Sequence, residues 1–417
     1  MNSYRRDLAM LADRRFSLLL AARTISVLGT AFAPVALAFG VLGLPGATAT
    51  TLSVVLTAEA LPTVLFMLVG GVVADRFPRQ RVMMAGEILN AVAFFALSAM
   101  LLTGWTPLPA MASAAALSGV AMAAMYPALT GIIPDVVSAD RLQTGNALLG
   151  LGANISRVAG LVLSGATVVL VGGGWALAIS GAMFTVAALL LAALRLTPSE
   201  ERSVQASPSV LAELREGWRE FASRQWLWVV VAQFSVLVMA VQAAHGVLGP
   251  LVAKESLGGA AAWSAILAGE AVGMLGGVVV ALRFKPRRPI LVGTILTMFA
   301  ALPYLLLGLG APLWAVVLGA VTMGVSFDVF GVLWSTTMQR EVPSEALSRV
   351  SSYDALGSLM LGPIGLLVAG PVAILIGPRP ALLGCAALVV LVALAALLAP
   401  GVRQMQAPEV AVEAPVH

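Results

Sequence analysis

Cysteine is almost missing from this chain: Cys385 is the only one in 417 residues, which excludes a disulfide framework and a cysteine metal cluster. Histidine is nearly as scarce, with only His245 and the terminal His417. One thiol and two imidazoles leave few ways to build a nucleophile–base pair or a metal centre, so an enzyme is disfavoured. Charge is short too: 11% of residues are charged, against about 25% in a soluble domain. No G-x-x-x-x-G-K-[ST] stretch occurs, so no loop is present to cradle the phosphates of ATP. Lysine is rare beside arginine, and the basic residues sit in scattered short turns that form no patch for nucleic acid. No cofactor and no metal is expected.

What fills the chain is apolar. Hydrophobic residues make up 60% and the mean hydropathy is +0.98. A backbone in a bilayer must satisfy its own polar groups, and apolar runs of about 20 residues do so as helices. Twelve spans are expected, at roughly 16–42, 49–73, 82–102, 109–133, 143–172, 175–194, 226–250, 263–282, 290–309, 313–337, 350–376 and 380–400. The N-terminal stretch imitates a signal peptide, but Arg23 interrupts its apolar run, and it is taken as a retained first span. With the first 15 residues on the cytoplasmic side, the turns there hold 20 of the 24 basic residues, and the opposite side holds only Lys254 and Arg379. That bias places both termini in the cytoplasm. The arginine- and alanine-rich composition points to a bacterial cytoplasmic membrane.

The chain repeats itself at about half its length. Arg76-Phe77 recurs as Arg283-Phe284 and Gly86 as Gly293, both 207 residues on. Asn146-Ala147-Leu148 parallels Asp354-Ala355-Leu356, GATVVLVG from Gly165 parallels GPVAILIG from Gly370, and Arg23 falls opposite Gln233. Parallel repeats about an axis along the membrane normal are a recognised transporter plan, with the substrate between the halves. The expected division is a six-helix bundle over 1–195, a cytoplasmic linker over 196–225, a second bundle over 226–400 and a disordered cytoplasmic tail over 401–417. In the linker, Val210, Leu211, Leu214, Trp218 and Phe221 share one face, as in an amphipathic helix on the membrane surface.

Gly71, Asp75, Arg76, Arg79 and Arg81 resemble the loop 2–3 signature of the major facilitator superfamily, with Pro78 where that family usually has glycine. The resemblance runs from about residue 14 to 400. Within the superfamily the chain most resembles bacterial macrolide-efflux and enterobactin-exporter proteins, drug–proton antiporters, through 126–135, 146–165 and 334–349. The fold it implies is an all-α integral membrane protein of 12 transmembrane helices in two pseudo-symmetric six-helix bundles. The function it implies is alternating-access transport, with export of small drug-like or siderophore-like amphiphiles driven by protons. An importer or facilitator of another small solute is the alternative. The expected partners are the small-molecule substrate, protons and membrane lipid, and the chain is expected to act as a monomer.

Charged groups inside spans cost about 2.5–3.5 kcal/mol on insertion scales, so each calls for a reason. Glu59, Asp328 and Glu270 are candidates for carrying the proton, because a carboxylate withdrawn from water resists ionisation and can load and release one. Structural pairing is the alternative reading. Arg157 in the fifth span and Glu270 in the eighth are expected to meet across the seam between halves as a conformational clasp. The resemblance further implies that Asp75 meets the start of the eleventh span, that Arg79 reaches Asp135, and that spans 1, 4, 7 and 10 surround the cavity. That makes Arg23, Gln233 and Gln242 polar candidates for the cavity wall. Met122, Met125, Tyr126, Met239, Phe327, Phe330 and Trp334 would be its apolar part, unless they face lipid. His245, near the outer end of the seventh span, is read as packing in preference to a proton relay.

Overall fold

The computed structural model describes residues 9–137, 141–194 and 210–406. Nearly all of them are helical. The chain enters through α1 (Arg14–Leu42), whose first turn is capped by Asp13 accepting the Arg15 N–H at 2.8 Å. It then runs through α2 (Ala49–Arg76), α3 (Arg79–Thr103) and α4 (Leu108–Val136). Thr48 and Thr51 form a reciprocal capping box at the start of α2, satisfying backbone groups that would otherwise face the membrane bare. Among the described residues ten helices are long and apolar enough to cross a membrane, and Leu108–Ala123 is a shorter apolar one.

The fifth helix, α5 (Leu142–Ala193), has 52 residues and at 1.5 Å per residue would reach roughly 78 Å, more than twice a bilayer core. It is two spans. At Gly172 the backbone leaves helical values, with φ +84° and ψ 165°, and the chain doubles back. Gly152 lies against Thr24, Gly160 against Leu28 and Gly173 against Gly40, and then Gly29 meets Met183 and Phe184 on the return. The expected fifth and sixth spans are these two limbs, so the long and short apolar helices together account for twelve crossings.

The second half repeats the first: α7 (Gln225–Ala243), α8 (Ala260–Arg283), α9 (Pro289–Thr297) running on into α10 (Ala301–Gly308), then α11 (Leu313–Glu341), α12 (Ser344–Leu359), α13 (Gly362–Ile376) and α14 (Pro378–Leu397), the linker helix Val210–Ser223 being α6. Two π turns, Ala244–Leu248 and Ala253–Leu257, carry the α7 span beyond its expected end at 250. Gly377 between α13 and α14 has φ +88° and ψ 154°, the counterpart of Gly172 205 residues earlier. Leu170 and Leu375, also 205 apart, are each 80% exposed on the outer surface of the bundle. The duplicated sequence therefore folds twice into the same turn with the same lipid-facing residue.

The turns at one end of the helices carry the arginines. Every turn at the other end carries a glycine with positive φ: Gly46, Gly104, Gly172, Gly258 with Gly259, Gly310 and Gly377. At this glycine-turn end one hydrophobic core joins both halves, running from Leu37, Leu52 and Leu97 to Leu248, Trp263, Leu307 and Leu382. At the arginine end the cores separate. Phe16, Leu19, Val82, Ile132 and Leu191 form one, and Trp226, Leu227, Ile290, Phe330, Trp334 and Val350 form another. Contacts between the halves follow the same division: Gly370 on Ala49, Thr50 and Ser53, Gly165 on Ala260 and Ser264, and Lys254 Nζ donating to the Leu42 carbonyl.

The linker helix α6 also docks on protein: Gly217 abuts Arg349 and Tyr353, Phe221 is buried, and Trp218, though 55% exposed, sits edge-on to Tyr353 at 5.6 Å. Glu216 pairs with Arg349 at 3.1 Å and fixes the helix to the start of α12. The linker before 210 and the tail from 407 lie outside the described residues, as do the side chains of Val210, Leu211 and Leu214.

Candidate functional site

Three polar groups inside the first bundle form a chain from α2 to α3. The Ser118 hydroxyl on α4 lies 3.3 Å from Glu59 Oε1 and 2.9 Å from Asn90 Oδ1. The Asn90 amide then faces the sulfurs of Met122 at 3.7 Å and Met125 at 3.6 Å. Gly119 makes this possible, because a Cβ there would fall on the Glu59 carbonyl, and Thr63 Oγ1 ties that carbonyl and the Gly119 carbonyl together at 3.0 and 3.1 Å. One turn along α3 from Asn90, the fully buried Glu87 faces Ser26 and the Arg23 guanidinium on α1. Neither Asn90 nor Ser118 was among the sequence candidates; each is a small uncharged residue in an apolar run, and only the packing reveals its partner.

The second bundle has the same backbone contact with different side chains. Gly324 on α11 abuts the Glu270 carbonyl on α8 as Gly119 abuts that of Glu59. Glu270 and Glu59 thus make the same backbone contact, although they lie 211 residues apart and the Arg76/Arg283 pair that ends these two helices repeats at 207. Yet Glu270 Oε2 lies 3.4 Å from His245 Nε2, and the ring of His245 stands edge-on to Trp263 at 5.9 Å and Tyr304 at 5.5 Å. Where the first half has Arg23 and Glu87, the second has Gln233 donating to Thr297 Oγ1 at 2.9 Å.

Arg157 and Glu270, the expected conformational clasp, form no ion pair in this conformation, where Glu270 lies against His245. Helices α5 and α8 do meet across the seam, but Ala271, Met274, Leu275 and Val278 are the stripe of α8 turned to it. Glu270 precedes that stripe by one residue, about 100° round the helix, and turns to His245. The acid that shares a cavity with Arg157 is Asp328 of α11, in a 40 Å³ space also lined by Asn154. Asp328 Oδ2 is buried there without a hydrogen-bond partner.

The expected cavity residues divide. Arg23, Met122, Met239, Gln242 and Phe327 are half-buried. Met125, Gln233, Phe330 and Trp334 are buried within their own bundles and do not reach a wall in this conformation. Phe330 and Trp334 instead continue a ring stack from Phe234, at 5.4 and then 6.0 Å, that reaches from α7 to α11. Trp334 Nε1 donates to Asp354 Oδ2 at 3.0 Å. In the arginine-end hinge, Arg76 and Arg81 are exposed and Arg79 is half-buried. Gln80 anchors the hinge by donating to the Leu191 carbonyl at 2.6 Å. The side chains of Gly71, Asp75, Tyr126 and Asp135, and so the expected Arg79–Asp135 contact, lie outside the described residues.

No curated protein matches the chain closely. Solved structures do. The nucleoside transporter NupG superposes with a TM-score of 0.75 at 14% identity, covering 92% of this chain and 98% of that one. A POT family transporter in complex with 5-aminolevulinic acid gives 0.73 at 13%, covering 94% and 97%. A bacterial homolog of the human lysosomal transporter Spinster, inward-facing and unoccupied, gives 0.70 at 17%, covering 94% and 97%. At these identities the likeness is one of fold. Residues 16–364 match the family model described as Major Facilitator Superfamily, and the chain, with its repeated bundles and glycine-sealed turns, belongs to that superfamily of membrane transporters.

Proposed function

We propose that this transporter is a proton-coupled exporter of small amphiphilic molecules, drug-like or siderophore-like, working as a monomer in a bacterial cytoplasmic membrane with both termini inside. The observation that carries the reading is the pair of intramembrane glutamates, Glu59 and Glu270, one in each half and each with its carbonyl against a glycine of the neighbouring helix. Intramembrane carboxylates mark ion and proton routes. Methionine and aromatic side chains adapt to bulky ligands of varied shape. The two bundles, 1–195 and 226–400, rock about the seam, and the separate cores at the arginine end correspond to a state open to the cytoplasm. In this cycle the hinge from Gly71 to Arg81, with Asp75, Arg76, Arg79 and Asp135, closes the arginine end. Arg157 and Asp328 approach each other there. One proton crossing about 100 mV releases ~2.3 kcal/mol, enough for a substrate gradient of roughly fifty-fold.

The test uses everted vesicles with an outward-decreasing proton gradient and a panel of labelled cationic and siderophore-like amphiphiles. Accumulation that collapses with a protonophore, and that falls at least about tenfold in at least one of Glu59→Gln, Glu270→Gln and Asp328→Asn, is the expected result. Accumulation insensitive to the gradient identifies a facilitator, and movement in the opposite direction an importer.

A further inference from the structure

We propose that His245 and Glu270 together form the group that takes up the transported proton, and that its protonation closes the glycine-turn end. This rests on the proton-coupled reading above and selects one of its three carboxylates, adding a histidine as its partner.

The geometry separates the candidates. Glu59 is held by a neutral hydroxyl, Ser118, and lies inside one bundle. Asp328 shares its small cavity with Arg157, which keeps its own charge at any working pH and offers no second proton acceptor. Glu270 alone faces a base, with Nε2 and Oε2 at 3.4 Å and each side chain about one-fifth exposed (20% and 19%). Both groups therefore stay within reach of water while being largely sheltered from it.

The backbone around His245 is also unusual. His245 sits in the π turn Ala244–Leu248, and such single-turn bulges in α-helices are frequent at functional sites. The next residue, Gly246, packs against Leu56 of the first bundle and Leu366 of α13. The bulge therefore connects the histidine directly to the seam that joins the halves. Other groups facing the pair are neutral: Trp263 from α8, Tyr304 from α10, whose hydroxyl lies 3.7 Å from Met323 Sδ, and Cys385 of α14 beside Tyr304. Leu56 and Leu366 are apolar. Lys254, the nearest lysine along the span, donates to the Leu42 carbonyl.

Charge counting gives the direction. With no proton the pair carries −1, and with one proton held between Nε2 and Oε2 it is neutral. A neutral pair fits against the dry seam, whereas a net charge draws water in and favours opening. A proton arriving from the glycine-turn side thus closes that side, and its release towards the arginine end lets the seam open again. No bond other than N–H or O–H changes, and the proton comes from and returns to water.

The experiment needs no substrate. Spin labels are placed on the exposed turn residues Trp105→Cys and Leu309→Cys, one in each half, in full-length Cys385→Ala protein in lipid nanodiscs. The distance distribution is read between about pH 8.5 and about pH 5.5, spanning the histidine range. The short, closed distance should gain population at least about threefold on acidification. His245→Gln and Glu270→Gln should each remove that response, while His417→Gln, the other histidine, keeps it. A normal elution profile and the retained short distance show that a variant is folded. A response that survives His245→Gln or Glu270→Gln overturns the assignment and leaves proton coupling standing. No response in the parent protein overturns both.

Discussion

Ser118 is a single hydroxyl serving two acceptors on different helices, Glu59 Oε1 and Asn90 Oδ1. Ser118→Ala leaves both without that donor inside the bundle. Polar contacts between membrane helices contribute about 0.6 kcal/mol on average and up to about 1.7, because the unfolded chain in lipid finds other partners. One O–H shared between two acceptors places Ser118→Ala within that range, as a lowered midpoint in detergent or steric-trap unfolding; an unchanged midpoint would mean that the network contributes nothing. Single residues were the hardest feature to read from the sequence. Charged positions such as Glu59, Glu270 and Asp328 stood out against their apolar runs, but their partners depend on helix rotation. Arg157 and Glu270 are on facing helices, yet one residue along α8 separates the seam stripe from the acid. His245 shows no partner in its own span, and its approach to Glu270 on α8 depends on how the π turn rotates it, which no periodicity count anticipates.

At the scale of elements, α6 shows what an amphipathic pattern leaves open. The spacing of its apolar residues fixed the helix but not what it would cover, since lipid and protein bury an apolar face equally well. The deciding residue is Gly217: a Cβ there would lie 2.9 Å from Arg349 Cβ and 3.2 Å from the Tyr353 ring. Gly217→Val should therefore undock α6, and deuterium uptake over 210–223 should rise at least about tenfold, while uptake in α7 stays near the parent level. The other end of α6 is held by Arg224. Its hydrogen bond to Glu220, and then its charge, keep that carboxyl below the ordinary range. A lowered folded value means the contact is present above the ordinary glutamate pKa of about 4.3 and is lost as pH falls through the lowered one. A spin label at Ala222→Cys in the Cys385→Ala protein should accordingly gain mobility only below about pH 4. Mobility that rises nearer neutrality would point to a different group.

For the whole molecule, the duplicated hinge and the arginine asymmetry made the fold legible, because both are imposed by the bilayer and not by detailed packing. The repeat even extends to backbone angles at Gly172 and Gly377. Which end is closed was not legible, since both states of such a transporter use the same helices and differ by only a few kcal/mol. The structure shows where that small difference is held. Gly370 of α13 lets its helix touch α2 so closely that a Cβ would come within 2.6 Å of Thr50 Cα and 2.8 Å of the Ala49 carbonyl. These are backbone atoms, so no rotamer change relieves the clash. Gly370→Val should add about 1–3 kcal/mol of overpacking to the closed glycine-turn end. The opposite state, in which this contact is released, escapes that cost, so the equilibrium should move by about five- to 150-fold towards it. The labels at 105 and 309 would report a longer distance at every pH, with the acid-induced closure weakened in proportion. If Gly370→Val keeps the short distance while remaining folded, the seam between α2 and α13 is not what holds that end shut, and the contact made by Gly165 on Ser264 and Ala260 becomes the one that does.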